Sequence, residues 1–156
     1  MISISIPGWE NMEVENIVLD LNGTIATDGK VPSEVKEKIN VLSEKVKIYL
    51  LTADTQGTAQ EEIKDMNVNL VKIEDDNSEK GKFEFIKGLI LERTVAIGNG
   101  NNDQLILKEA ALGIAVLGEE GMSVSSMKNA DIVVKNISDA LDLFLKPKRL
   151  IATLRE

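Results

Sequence analysis

Short apolar runs rich in Val, Ile and Leu alternate with amphipathic stretches along the chain. The runs predict strands over Ile2–Ile6, Asn16–Leu21, Val46–Leu51, Asn69–Ile73, Thr94–Ile97, Gly113–Val116 and Ile132–Val134. Between them the pattern predicts helices over Ser33–Glu44, Thr58–Met66, Glu79–Leu91, Asn102–Ala110, Met122–Asn129 and Ser138–Leu145. The first helix places Val35, Ile39 and Leu42 on one face at i, i+4 and i+7, with Glu34, Lys36 and Lys38 elsewhere. Thr58-Ala59-Gln60-Glu61 has capping-box spacing, which signals a helix start. Strands that are apolar along most of their length and alternate with helices predict an α/β fold. Its mainly parallel sheet would be covered on both faces. The chain carries no repeat, low-complexity segment or Pro/Gly/Ser linker, so it reads as one domain over residues 1–156.

In such a sheet, ligands bind outside the carboxyl ends of the strands. Those loops begin at Asp20, Thr52, Glu74 and Gly98. In the first, Val18-Leu19-Asp20-Leu21-Asn22-Gly23-Thr24, a carboxylate leaves a buried strand into a turn. Asp20 fits an Asx-turn or helix cap, and equally a carboxylate nucleophile that attacks phosphorus. Gly23 would let the backbone approach closely, with neighbouring N–H groups holding phosphoryl oxygens. In the second loop, Thr52 stands at a strand end before a helix N-terminus, an arrangement that anchors phosphate or merely caps. The third offers a lysine. Apolar residues follow Lys82 at +3, +4 and +7 (Phe85, Ile86, Leu89), whereas the same offsets from Lys80 give Phe83, Glu84 and Lys87. Lys82 is the better candidate to neutralise a phosphoryl group; otherwise it is a surface lysine. The acidic run Glu74-Asp75-Asp76-Asn77-Ser78-Glu79 reads as a solvated loop. The fourth loop, Gly98-Asn99-Gly100-Asn101-Asn102-Asp103, gathers oxygen ligands that suit Mg²⁺, although Asn-Gly alone makes ordinary turns.

Composition narrows the chemistry by exclusion. Cys and His are both absent, which removes thiol nucleophiles, disulfides, Cys/His zinc sites and Ser-His-Asp triads. Lys and Arg number 18 against 26 Asp and Glu, a net charge of −8 that argues against sequence-independent nucleic-acid binding. The longest uncharged apolar stretch, Ala110 to Gly118, falls far short of the ~18 residues a membrane span needs. The N-terminus lacks a basic start, so the expectation is a cytoplasmic protein without membrane association.

Together the four loops resemble the haloacid dehalogenase-like (HAD) phosphohydrolase superfamily, and within it the phosphorylation domain of P-type cation ATPases. That domain carries Asp-Lys-Thr-Gly-Thr, Leu-Thr-Gly-Asp-Asn…Thr-Ala, a helix-starting Lys and Gly-Asp-Gly-x-Asn-Asp. Asp20-Leu21-Asn22-Gly23-Thr24 is similar to the first and Leu51-Thr52-Ala53-Asp54-Thr55…Thr58-Ala59 to the second. Gly98-Asn99-Gly100-Asn101-Asn102-Asp103 is similar to the fourth, and Lys108–Val116 and Met127–Val134 continue the likeness. The resemblance spans roughly Asn16 to Phe144. It implies a Rossmann-like three-layer sandwich and a Mg²⁺-dependent phosphatase acting on a phosphorylated substrate. By the same pattern Asp20 is the nucleophile and a metal ligand, and the backbone carbonyl of Asn22 is another ligand. Thr52 and Lys82 hold the phosphoryl group, with Gly23, Thr24 and Ala53 beside it. Asp103 holds or orients the metal, while Asp54 and Asn102 support.

Two departures qualify the resemblance. Asn22 stands where most of these phosphatases carry the Asp that acts as general acid/base, a role typically worth ~10²–10⁴-fold. Asn99 stands where the family places a metal-binding Asp, which removes one negative charge from the site. The same Asn pair occurs in small soluble relatives of the ATPase domain. Only Ile25 to Leu51 lie between the first two motifs, too few for a nucleotide-binding insert, and Thr52 to Lys82 leaves no room for a cap. The expectation is therefore a capless HAD core that cannot pump ions. Its open site would suit a large substrate or be completed by a second copy of the chain. Leu150, Ile151 and Leu154 share a face that would pack on its own domain or dock in a homo-oligomer. Two alternatives compete with a phosphatase. One is a phosphate- or partner-binding regulatory domain whose catalytic power was lost, favoured by Asn22 and Asn99. The other is a receiver-like phosphoacceptor, disfavoured because Glu13 and Glu15 fit its acidic pair poorly.

Overall fold

In the computed structural model, which describes residues 1–53 and 57–156, strands Ile2–Ile4 (β1) and Met12–Val14 (β2) pair antiparallel as a small separate sheet. The main sheet holds Asn16–Asp20 (β3), Lys47–Thr52 (β4), Asn69–Lys72 (β5), Thr94–Gly98 (β6), Leu112–Val116 (β7) and Ile132–Val134 (β8). Its order is β5-β4-β3-β6-β7-β8, and every neighbouring pair is parallel. Each residue of β3, β6 and β7 is buried, as the continuous apolar runs require of strands covered on both faces. The edge strands differ. β5 is half-exposed along its length, and β8 buries only Ile132 fully.

Side chains alternate across the sheet with period two. On one face Ile17, Leu19, Ile48, Leu50, Val95, Ile97, Ile114 and Val116 meet helices Ser33–Ser43 (α1), Thr58–Glu62 (α2), Ile137–Leu145 (α6) and Pro147–Leu154 (α7). On the other face Val18, Leu51, Ala96 and Ala115 meet Ser78–Lys87 (α3) and Gln104–Glu109 (α4), with Val124–Asn129 (α5) beyond. The two central alanines leave room for α4 to lie close to the sheet. Val35, Ile39 and Leu42 are all buried, as the spacing on α1 predicts. Fully burying one such side chain is worth about 1.5–3 kcal/mol. The result is the three-layer α/β sandwich expected of the pattern.

Several boundaries differ from the sequence-based expectation. β2 went unpredicted because three residues are too few to register as an alternating run; it pairs Met12 with Ile4 and Val14 with Ile2, burying all four. The second helix ends at Glu62 instead of Met66, yet Ile63 and Met66 still enter the core through the turn that follows. The third runs Ser78–Lys87 and stops at Gly88, and Leu91–Arg93 is a separate 3-10 turn. The acidic run folds as a 3-10 turn, Asp75–Asn77, and the Asn77 side chain accepts from the Lys80 N–H at the start of α3. α7 packs on its own domain: Leu150 is buried, and Ile151 and Leu154 lie partly buried against the core. Among the described residues, no helix is long and apolar enough to cross a membrane.

Candidate active site

The chain runs outward from β3 through β4 and β5, then returns to β6 on the other side of β3. The crevice between the carboxyl ends of β3 and β6 is therefore the switch point at which open α/β sheets bind ligands. β3 ends on Asp20 and β6 on Gly98.

A buried ammonium joins the two strand ends. Lys82, on the second turn of α3, is 2% exposed, and its Nζ donates to Asp20 Oδ1 at 2.9 Å and to Asp103 Oδ1 at 2.7 Å. It also donates to Asn102 Oδ1 at 3.2 Å. Lys80, one face away, is exposed. Asp103 is wholly buried, and its Oδ2 accepts the backbone N–H groups of Asn99 and Gly100, both at 3.0 Å. Position 98 must be glycine, since a Cβ there would lie 2.5 Å from that carboxylate. Both oxygens of Asp103 are thus occupied in holding Lys82 and folding the loop after β6.

On the opposite side of Asp20 sits Thr24. Its Oγ1 lies 3.3 Å from Asp20 Oδ2 and 3.1 Å from Asn99 Oδ1. A hydroxyl has one proton to give, so with Asp20 ionised Thr24 can serve only one of these two oxygens at a time. Thr52, at the end of β4, is buried, and Asn22 Nδ2 donates to its Oγ1 at a long 3.4 Å. Ala53 is partly buried beside it, while Asp54 lies outside the described residues. Gly23 takes a left-handed φ of 77° and its N–H donates to the Ala26 carbonyl, turning the loop back over the strand end.

The charges do not balance. Two buried carboxylates share one ammonium. Burial, and after it the neighbouring Asp103 charge, raise the Asp20 carboxyl to about 7, with Lys82 and Thr24 only partly offsetting them. Burial alone would lower the Lys82 ammonium, but Asp103 and Asp20 hold it above its ordinary value. The site therefore has an unmet demand for positive charge. The oxygens that face it are those of Asp20 and Asn99, a donor set that suits a hard divalent cation. Among the described residues, no three Asp, Glu, His or Cys side chains converge as a ready-made metal cage.

Other residues that build the site went unrecognised in the sequence. Ser126, fully buried on α5, donates to the Gly100 carbonyl, and Ser123 N–H donates to the Asn99 carbonyl at 2.8 Å. Asn102 Nδ2 donates to Ser78 Oγ at 3.0 Å. The loop after β7 also reaches the site: the Glu120 carboxylate lies 2.4 Å from the point a Gly23 Cβ would occupy. That loop, like the other four, follows the carboxyl end of a strand, and this position was the available signal.

Comparison with known proteins agrees with this fold. No protein-family model matches the chain. An uncharacterised protein of Methanocaldococcus jannaschii, MJ0073, is 55% identical over 65 residues, which cover 42% of this chain and 70% of that one. A soluble P-type ATPase-like phosphatase from the same organism is 29% identical over 126 residues. That match covers 79% of this chain and 46% of the phosphatase, about half its length. Among solved structures, the fold matches 3-deoxy-D-manno-octulosonate 8-phosphate phosphatase from Moraxella catarrhalis, a complex with magnesium, phosphate and KDO. The TM-score is 0.72 at 15% identity, over 91% of this chain and 94% of that one. It also matches a Legionella pneumophila protein named as a HAD superfamily (subfamily III A) hydrolase, with TM-score 0.71 at 12% identity, covering 90% and 86%. These likenesses define a HAD-type, Rossmann-like α/β fold. The M. jannaschii relative and the M. catarrhalis neighbour are named as phosphatases, and the L. pneumophila neighbour as a hydrolase.

Proposed function

We propose that this chain is a Mg²⁺-dependent phosphohydrolase that forms an aspartyl-phosphate on Asp20. The observation that carries the reading is the position of Lys82, buried at the switch point within hydrogen-bond distance of Asp20 and Asp103. Asp20 Oδ attacks the phosphorus of a phosphomonoester, and the bond from phosphorus to the leaving oxygen breaks. Lys82 neutralises charge as it builds on the phosphoryl oxygens, with Thr52 and the N–H groups of Asn22 and Thr24 holding them. Asn22 has no acidic proton, so the leaving oxygen takes its proton from water. Water then attacks the aspartyl-phosphate, releasing inorganic phosphate and restoring the Asp20 carboxylate. A magnesium ion would be held by Asp20, the Asn22 carbonyl and Asn99, and would supply positive charge to the phosphoryl group. The contacts of Asp103 suit orienting Lys82 and the loop bearing Asn99.

Incubation with acetyl phosphate and Mg²⁺, acid quenching and intact-mass measurement test this reading. The expected result is one phosphoryl group added to the wild type and none added to Asp20→Asn. No adduct in either the wild type or Asn22→Asp would overturn it.

A further inference from the structure

The loop that follows β7 carries a carboxylate, Glu120, to the turn that follows Asp20. Residues 117–121 turn on Gly118 and Gly121, both left-handed at φ 56° and 81°. This brings Gly118 beside the Gly23 carbonyl and Glu120 beside the Gly23 α-carbon. The Glu120 Oε2 and the Asn99 Nδ2 approach the same point next to Gly23, at 2.4 and 3.0 Å. Asn99 is held there by its own donation to the Gly121 carbonyl at 3.1 Å, which ties the amide to this loop. Gly23 directly follows Asn22, whose carbonyl the proposed reading gives to the cation. The Glu120 carboxylate therefore lies beside Gly23 next to the Asn99 amide nitrogen, while the Asn99 oxygen faces Thr24.

We propose that Glu120 is the anionic member of the divalent-cation site, supplying from the loop after β7 the charge that position 99 lacks. This rests on the phosphohydrolase reading. Glu120 acts in the outer shell, through cation-bound water or through the field at the site, and it is a positioning residue in that sense. Outer-shell carboxylates of this kind typically change metal affinity by 10–100-fold. A buried Asn99 oxygen and an Asp20 oxygen competing for the one Thr24 proton are the independent sign that a cation belongs between them. Glu119, the adjacent carboxylate on the same loop, is not among the groups nearest Gly23.

Mn²⁺ titration of the substrate-free protein, followed by electron paramagnetic resonance of the free ion, reads this without reference to turnover. Asp20→Asn should abolish binding, and Glu120→Gln should weaken it about tenfold. Glu119→Gln should stay within twofold of the wild type. Asn99→Asp in the Glu120→Gln background should recover the lost affinity. Glu120→Gln binding as tightly as the wild type, while Asp20→Asn binds nothing, overturns the role of Glu120 alone. An equal loss in Glu119→Gln overturns it too, because the effect would then be diffuse charge. A wild type that binds no Mn²⁺ at millimolar concentration overturns the metal-dependent reading itself.

Discussion

Two buried aspartates in this molecule each lie 2.9 Å from a lysine ammonium, and their carboxyl groups shift in opposite directions. Asp20 pairs with Lys82 at the carboxyl end of the sheet, and Asp142, on α6, with Lys38 on α1. Asp20 is pushed up to about 7 by burial and by Asp103. Asp142 also feels burial, yet Lys38 and Lys146 hold it below the ordinary carboxylate range. The difference is the count of charges. At the site, two carboxylates share one cation; around Asp142, Lys38, Lys146 and Arg149 converge on one carboxylate within 3.2 Å. The second cluster ties three helices together. The first leaves a deficit of positive charge that a bound cation would relieve.

The sharpest way to break the comparison is to remove the shared cation. Lys82→Met leaves Asp20 and Asp103 facing each other without compensation. Removing one partner from a buried ion pair costs about 3–5 kcal/mol, so urea unfolding at neutral pH should show a loss of that size. Phosphoryl-adduct formation should fall to background. A loss below about 1 kcal/mol would mean that the pair is solvated, as surface ion pairs are.

Lys82 was legible because its +3, +4 and +7 neighbours mark a buried helix face, and Ile86 is indeed buried there. β3 and β6 were legible as continuous apolar runs, and the loops after them as turns too rich in polar groups for plain connections. Each of those signals is local. Glu120, Ser126 and the Asp142 cluster were not legible because they act through contacts between distant segments. Lys38 and Ser138 stand 100 residues apart, and Glu120 reaches Gly23 only because β7 lies beside β6, which lies beside β3. β2 was missed for a different reason, since three residues contain too little alternation to tell a strand from a loop.

Adding a carboxylate at the crowded site tests the catalytic side of the contrast. Asn22→Asp restores an acidic group able to protonate the leaving oxygen, and hydrolysis of a generic phosphomonoester should rise by ~10²–10⁴-fold. The same change adds a negative charge two residues from Asp20, so stability in metal-free buffer should fall modestly. Steady-state kinetics on p-nitrophenyl phosphate with Mg²⁺ reads the first effect. Unchanged turnover would place the slow step elsewhere.

Relieving the site should have the reverse sign. The native carboxyl of Asp20 binds its proton more tightly than the unfolded chain does. Its contribution to stability is thus fully present below the ordinary carboxylate range and is lost as pH rises through about 7. In buffer containing a chelator, Asp20→Asn should be more stable than the wild type at pH 8 by on the order of 2 kcal/mol. The advantage should shrink to nothing near pH 4. An inactive variant more stable than its parent is the signature of a group kept for chemistry; an Asp20→Asn that is less stable at pH 8 would contradict the charge accounting.

The smallest effect belongs to the balanced cluster. Asp142 has its carboxyl held below the unfolded value, so its contribution is present above the ordinary carboxylate range and disappears as pH falls through the lowered native value. Lys146 and Arg149 are more than half exposed, so their attraction is screened by solvent, and Lys38 is the better shielded partner. Asp142→Asn should therefore cost about 1 kcal/mol at pH 7, and less in high salt. Near pH 2 the two proteins should unfold at the same urea concentration. Adduct formation on Asp20 should be unaffected, because this cluster joins α1, α6 and the start of α7, elements that supply none of the proposed catalytic side chains. If the cost at pH 7 instead reached that of Lys82→Met, charge balance would not be what separates the two aspartates.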